Sequence, residues 1–112
     1  LRIDPKYSDC YYGHGLANLN LNKFNEAIMD FTKSISLDSK YANAYFYRGK
    51  SYNSLEKYTE ALADFNKSIG INPKYDLGYV GIGRVYSDKN DSEKAVHTNF
   101  SYLNLTISKS YK

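Results

Sequence analysis

Apolar and aromatic residues recur along the chain at three- and four-residue intervals, the spacing of one face of an α-helix. Between residues 42 and 75 this pattern resolves into two stretches. Tyr45, Gly49 and Tyr52 mark the first, which predicts a helix over Ala42–Leu55. A turn is expected at Glu56-Lys57-Tyr58, and Thr59 stands where it would cap the next helix. Ala61, Leu62, Phe65, Ser68 and Ile69 share a face of that second helix. Asn72-Pro73 ends it, because a residue before proline is driven out of helical conformation. Gly49, Ala61 and Ser68 are small enough for two helix backbones to approach, while Tyr45, Tyr52 and Phe65 fill the space between. The aromatic stripe is read as core packing and not as a cofactor box.

The same pattern occurs 34 residues earlier. Tyr11, Gly15, Leu21, Lys23, Glu26, Ala27, Asp30, Phe31, Lys33, Ser34, Ile35, Lys40 and Tyr41 superpose on identical residues from Tyr45 to Tyr75. Thirteen identities between residues 8–41 and 42–75 make this an internal repeat, which decides the architecture before any single motif does. Tyr79, Gly83, Tyr86 and Ala95 keep the register through a third unit, 76–109, with 110–112 as the C-terminal end. Upstream, LRIDPKY (1–7) aligns with IGINPKY (69–75), so residues 1–7 read as the tail of a preceding repeat and the chain as a fragment. The whole of 1–112 is read as one domain.

In the second unit the signature runs Tyr45, Gly49, Tyr52, Ala61, Phe65, Pro73. This series resembles the tetratricopeptide repeat, and the likeness covers nearly the whole chain. It implies an all-α fold, an α-solenoid of antiparallel helix pairs in a right-handed superhelix, with a concave face that holds peptides or partner helices. Departures from the pattern are instructive. The first unit has Asn18 for Tyr52 and Ser39 for Pro73. In the third, Phe100 lies five residues after Ala95, Tyr102 replaces Ser34 and Ser68, and Ile107 stands in the proline position. The last helix, roughly Ser92 to Asn104 or beyond, is therefore expected to pack differently, as a divergent repeat or cap.

Composition changes this picture little. Thirteen tyrosines, two prolines, seven glycines and no tryptophan leave room for long helices. The net charge of +3 is dispersed along the chain, which argues against nucleic acid as the partner. No apolar run approaches the roughly 20 residues of a membrane span. The single cysteine, Cys10, fits a reducing, cytoplasmic setting.

Comparison of the units also exposes a coupled pair. His14, Arg48 and Ile82 precede the three glycines, and Asp30, Asp64 and Thr98 are their counterparts across the unit. A cation in one place accompanies a carboxylate in the other, which predicts interhelical ion pairs Arg48–Asp64 and, more weakly, His14–Asp30. Neither pair comes with a nucleophile, and both recur by repeat, so their role is structural. Gly15, Ala27, Phe31, Arg48, Gly49, Ala61, Asp64, Phe65, Pro73, Gly83 and Ala95 form the expected framework. His14, His97 and Cys10 have no metal-ligand spacing, and no cofactor or enzymatic activity is implied. Asn-x-Ser/Thr matches at Asn66, Asn90, Asn99 and Asn104 are discounted as products of an Asn- and Ser-rich chain.

The resemblance further implies that the first helix of each unit lines the concave face. Its rows would be Tyr12 and Leu16, Phe46 and Lys50, and Val80 and Arg84, with Asp9, Asn43, Tyr47 and Leu77 alongside. Aromatic residues flanked by cations suit a peptide or helix with apolar anchors and an acidic group. Relatives that grip a chaperone's C-terminal carboxylate use lysines, asparagines and an arginine. The matching places here are Tyr12, Leu16, Tyr47, Leu77 and Gly81, so a carboxylate clamp is not expected. The expected function is a non-catalytic protein-interaction module. The alternative is an internal segment of a longer scaffold that self-associates or stacks through its terminal repeats.

Overall fold

The computed structural model describes the backbone of residues 5–110 and the side chains of residues 6–94. Five helices follow one another: α1 Pro5–Asn20, α2 Phe24–Leu37, α3 Ala42–Ser54, α4 Tyr58–Ile71 and α5 Asp76–Ser110. No strand occurs among the described residues. Ser8 meets Ser34, His14 meets Asp30, and Gly15 lies against Phe31, so α2 runs back along α1. Arg48 and Asp64 join α3 to α4 in the same antiparallel sense. Units 8–41 and 42–75 are thus two successive hairpins; α2–α3 contacts stack them, and α4–α5 contacts pack α5 on the second.

The turns inside both hairpins have one construction. Asn22 and Glu56 occupy the left-handed region, with φ of 59° and 60°. Lys23 N–H donates to the Asn18 carbonyl (2.8 Å) and Asn22 N–H to that of Leu19 (2.9 Å). Lys57 and Glu56 repeat the pair with Tyr52 (2.9 Å) and Asn53 (3.0 Å). Such bonds satisfy the last carbonyls of a helix while a left-handed residue reverses the chain. The following helix begins at once, at Tyr58. Thr59 therefore falls inside its first turn, and the cap is Lys57, which makes no side-chain capping bond.

Helices α2 and α4 also end alike. Asn72, before Pro73, is extended (φ −135°, ψ 95°), and its Oδ1 accepts the Lys74 N–H at 3.2 Å. Asp38, followed by Ser39 and not by a proline, does the same at φ −143° and ψ 96°, accepting the Lys40 N–H at 3.1 Å. The Asp38 carboxylate thus ends α2 by closing a local side-chain turn, with no proline to enforce the stop.

Between the helices lie the expected small and aromatic residues. Ala27, Phe31, Ala61 and Phe65 are fully buried, and Phe46, Ala61, Phe65 and Val85 form one cluster. A Cβ on Gly15 would come within 2.7 Å of the Phe31 ring, and one on Gly49 within 3.0 Å of the Phe65 ring, so both glycines set the helix approach. Ser8 and Ser34 exchange bonds of 2.9 Å from each hydroxyl to the other's backbone carbonyl, which satisfies both hydroxyls inside the core.

Pro5, Lys6 and Tyr7, which align with the tail of a repeat, form the first turn of α1. Proline is at home there, because its missing N–H would have no partner in a first turn anyway. Residues 1–4 lie outside the described residues.

The third unit does not turn. Instead of a separate helix near Ser92–Asn104, α5 continues for 35 residues from Asp76 to Ser110. Lys89 stands in the place of Leu21 and Leu55, and Ser92 in the place of Phe24 and Tyr58, so the apolar residues that frame the other two turns are missing. Asn53 donates to Asp88 (2.7 Å), and the Tyr58 and Ser92 hydroxyls are 3.0 Å apart, which holds α5 against the preceding hairpin. Gly83 faces open space, whereas a Cβ on Gly81 would lie 2.7 Å from the Phe65 ring. Gly81 is a close-approach residue, as is Gly78 against Ile69 (2.7 Å), because the neighbour of α5 is α4 of the previous unit. The side chains of Ala95, His97, Thr98, Phe100 and Tyr102 lie outside those described.

Candidate functional site

Helices α1 and α3 bring a run of aromatic rings to the face on which the expected binding residues lie. Tyr12 meets Tyr41 at 4.8 Å between centroids, Tyr47 at 6.0 Å and Phe31 at 6.0 Å. Tyr47 stacks on Phe31 at 6.3 Å and meets Phe46 edge-on at 4.9 Å. Phe46 in turn packs on Phe65 (5.5 Å) and Tyr75 (5.6 Å). Repeat geometry accounts for the order: Tyr41 and Tyr75 close their units over Tyr12 and Phe46. Burial pushes the Tyr12 phenol up to about 12, with Tyr47 and Tyr75 adding to the effect. Burial likewise pushes Tyr75 up to about 12, helped by Tyr47. The Tyr41 phenol is raised as well, first by burial and then by a hydrogen bond with Asp9.

Beside these rings is a hollow of about 610 Å³ between the C-terminal halves of α1 and α3. Leu16, Leu19, Phe24 and Tyr47 supply its apolar lining, while Lys50 and Ser54 supply a cation and a hydroxyl. Lys50 Nζ stands 5.9 Å from the Tyr47 ring centroid. The aromatic face thus faces a positive charge, an arrangement that stabilises the ammonium while leaving it open to an anion.

The structure divides the expected row. Leu16, Tyr47 and Lys50 meet at this hollow, with Tyr12 next to it through the Tyr47 ring. Phe46 is a core residue, 6% exposed among Ala61, Phe65, Val85 and Tyr75. Asn43 lines a separate polar hollow with Asp9, Asp38, Lys40 and Tyr41. Leu77, Val80 and Arg84 are exposed on α5, away from the hollow, and Arg84 Nε donates to Asp88 at 3.1 Å. Leu19 and Phe24 were not singled out from the sequence. They flank the first turn, and their only signal was being apolar beside a left-handed Asn22.

The ion pairs lie across the hairpins. Arg48 Nε and Nη2 donate to the two oxygens of Asp64 at 2.8 and 2.7 Å, and Nη1 donates to Thr32 at 3.2 Å. Burial pushes the Asp64 carboxyl up, and the hydrogen bonds and charge of Arg48 pull against it. Tyr45 and Tyr52 place their rings 5.6 and 5.9 Å from the same guanidinium. His14 Nδ1 lies 2.7 Å from Asp30, which also accepts from Asn18 Nδ2 at 2.7 Å. Asn18 thus joins the polar pair in the place where the second unit has Tyr52. Among the described residues no three His, Cys, Asp or Glu side chains gather as a metal group, and no helix is long and apolar enough to cross a membrane.

Tetratricopeptide repeat family profiles match residues 8–41 and 42–75. No curated protein matches the chain. Among solved structures, the Arabidopsis OM64 TPR domain is 32% identical with a TM-score of 0.68, the match covering 70% of this chain and 64% of that one. The MamA protein is 31% identical with a TM-score of 0.72, over 84% of this chain and 51% of that one. The second TPR domain of human RPAP3, solved in complex with the HSP70 peptide SGPTIEEVD, is 26% identical with a TM-score of 0.69, over 70% of this chain and 66% of that one. The chain therefore spans about half to two-thirds of these solved chains. Two matched units in register, each folded as the hairpin its 34-residue pattern prescribes, place the chain in the tetratricopeptide repeat family.

Proposed function

We propose that the chain is a non-catalytic protein-interaction module that holds a peptide or partner helix on the face formed by α1 and α3. The hollow beside Tyr47 carries this reading, because it sets apolar Leu16, Leu19 and Phe24 next to Lys50. Those groups suit a ligand with an aliphatic anchor adjoining an acidic residue. The peptide bound by the RPAP3 domain, SGPTIEEVD, has aliphatic and acidic residues side by side. Here the acidic group would be met by Lys50 and not by a carboxylate clamp, since Tyr12, Leu16, Tyr47, Leu77 and Gly81 fill the clamp positions. Packed rings hold Tyr47 in place before any ligand arrives, which lowers the ordering cost of binding. The exposed single thiol of Cys10 agrees with a reducing, cytoplasmic setting.

The test is a peptide array that varies the spacing between one aliphatic and two acidic residues, read with the wild-type chain and with Lys50→Glu and Leu16→Ala. Both side chains lie outside the core cluster, so both variants should melt like wild type. Selective binding that each variant weakens supports the reading. Selective binding unchanged in both moves the ligand to another surface, and no selective binding removes the reading.

A further inference from the structure

In the two closed hairpins, the face of the first helix that carries Tyr45, Arg48, Gly49 and Tyr52 is covered in part by the second helix of the same unit, as Gly49 against Phe65 and Arg48 against Asp64 show. The corresponding face of α5 carries Tyr79, Gly83 and Tyr86, with Ile82 at its edge already packed against the Phe46–Phe65–Val85 cluster. Tyr79 and Tyr86 are 54% and 53% exposed, and Gly83 meets nothing within 4 Å. Val80, in the place of Tyr12 and Phe46, is 65% exposed, since α5 runs on where Tyr41 and Tyr75 fold over those residues. This is a contiguous apolar acceptor for one helix.

The chain also contains a segment in register to fill it. Ala95 stands at the position of Ala27 and Ala61, the small residues of the second helices. As part of the straight α5, however, position 95 is twelve residues beyond Gly83 and about 18 Å along the axis from it. A helix cannot cover its own earlier turns. We propose that a second copy of this chain supplies the cover: two α5 helices pair antiparallel, residues 92–104 of each lying on the Tyr79–Gly83–Tyr86 face of the other. A two-fold axis beside Asn90 sets position 82 of one copy against position 98 of the other, the relation in which Arg48 meets Asp64. Each copy then completes the other's third unit, so the contact is self-complementary and closes at two. Asn90 stands where Asn22 and Glu56 make the left-handed turns, and straightening at that point converts an intramolecular hairpin into an exchanged one.

Light scattering of the full chain over a range of concentrations tests this. Wild type should move from 12.8 kDa towards twice that mass as concentration rises. Tyr79→Glu with Tyr86→Glu puts charges on side chains already half exposed, so the fold should survive, as a melt would verify, and the mass should stay at one chain. Lys89→Gly with Asn90→Gly should also give one chain by allowing the segment to fold back on its own unit. A monomer at every concentration would overturn the proposal, and so would a dimer whose mass the two glutamates leave unchanged. Self-association through the other exposed end, at Tyr7 and Tyr11, would give that second result.

Discussion

Arg48 and His14 occupy equivalent positions but should matter unequally. Arg48 is largely buried and makes both bonds to a buried Asp64, whereas His14 is 70% exposed. Arg48→Ala strands the carboxylate and should cost about 3 kcal/mol in chemical denaturation. His14→Ala should cost less than about 1 kcal/mol. Arg48→Ala with Asp64→Ala should cost less than the two single changes added, which a double-mutant cycle would measure. The glycines offer a second contrast. Gly83→Ala should raise stability by about 0.5–1 kcal/mol, since it improves helix propensity in open space. Gly81→Ala should lower it by about 1–3 kcal/mol, because the added methyl meets Phe65 in a packed core. Thermal melts of the two variants at low concentration, moving in opposite directions, would show that α5 packs through Gly81. At Glu56 the left-handed backbone strains any side chain, so Glu56→Gly should stabilise by about 1 kcal/mol. Phe46→Ala should cost about 3–5 kcal/mol as a core deletion, which makes it unsuitable for probing the surface.

At the scale of the element, what was legible in the sequence was whatever the repeat states twice. Two hairpins and their Ala and Phe contacts follow from residues that recur at 34-residue spacing, and the Arg48–Asp64 pair from the matched changes of the two positions between units. The turns were located but not their construction, because a left-handed residue followed by an uncapped helix start leaves no Ser, Thr or Gly signal at Glu56 and Lys57. The third unit was misread for a related reason. Tyr79, Gly83 and Tyr86 keep the spacing of a first helix, yet whether a hairpin closes depends on Lys89 and Ser92, where the unit has lost its apolar frame. Phe46 was assigned to the binding face by its position in the repeat. It is buried because Tyr75 folds over it, a tertiary contact that no local pattern records. The hollow lies between two helices, and only Leu16, Tyr47 and Lys50 of its lining could be placed from the repeat.

Across the whole molecule, half-buried phenols connect stability to alkaline pH. An unfolded tyrosine loses its proton near pH 10, while Tyr12 and Tyr75 keep theirs to about 12 when folded. The contribution is therefore complete below pH 10 and is lost as pH rises from 10 to 12, because the unfolded chain then releases protons that the folded one retains. Denaturation midpoints should fall over that interval, and tyrosinate absorbance should show a late class of phenols that titrates on unfolding. A midpoint flat across the interval would deny that these rings are packed out of water in part.

In the function proposed above, the same packed rings hold Tyr47 and Lys50 ready for a ligand, and charge at that hollow selects it. The most direct measurement is the affinity of an acidic-aliphatic peptide selected on the array, and of its acidic-to-lysine counterpart, for the wild-type chain and for Lys50→Glu. The acidic peptide should bind wild type about tenfold or more tightly than it binds the variant, and the lysine peptide should reverse that preference. Equal affinities of each peptide for both proteins would show that Lys50 does not read the ligand and that the hollow beside Tyr47 is not the binding site.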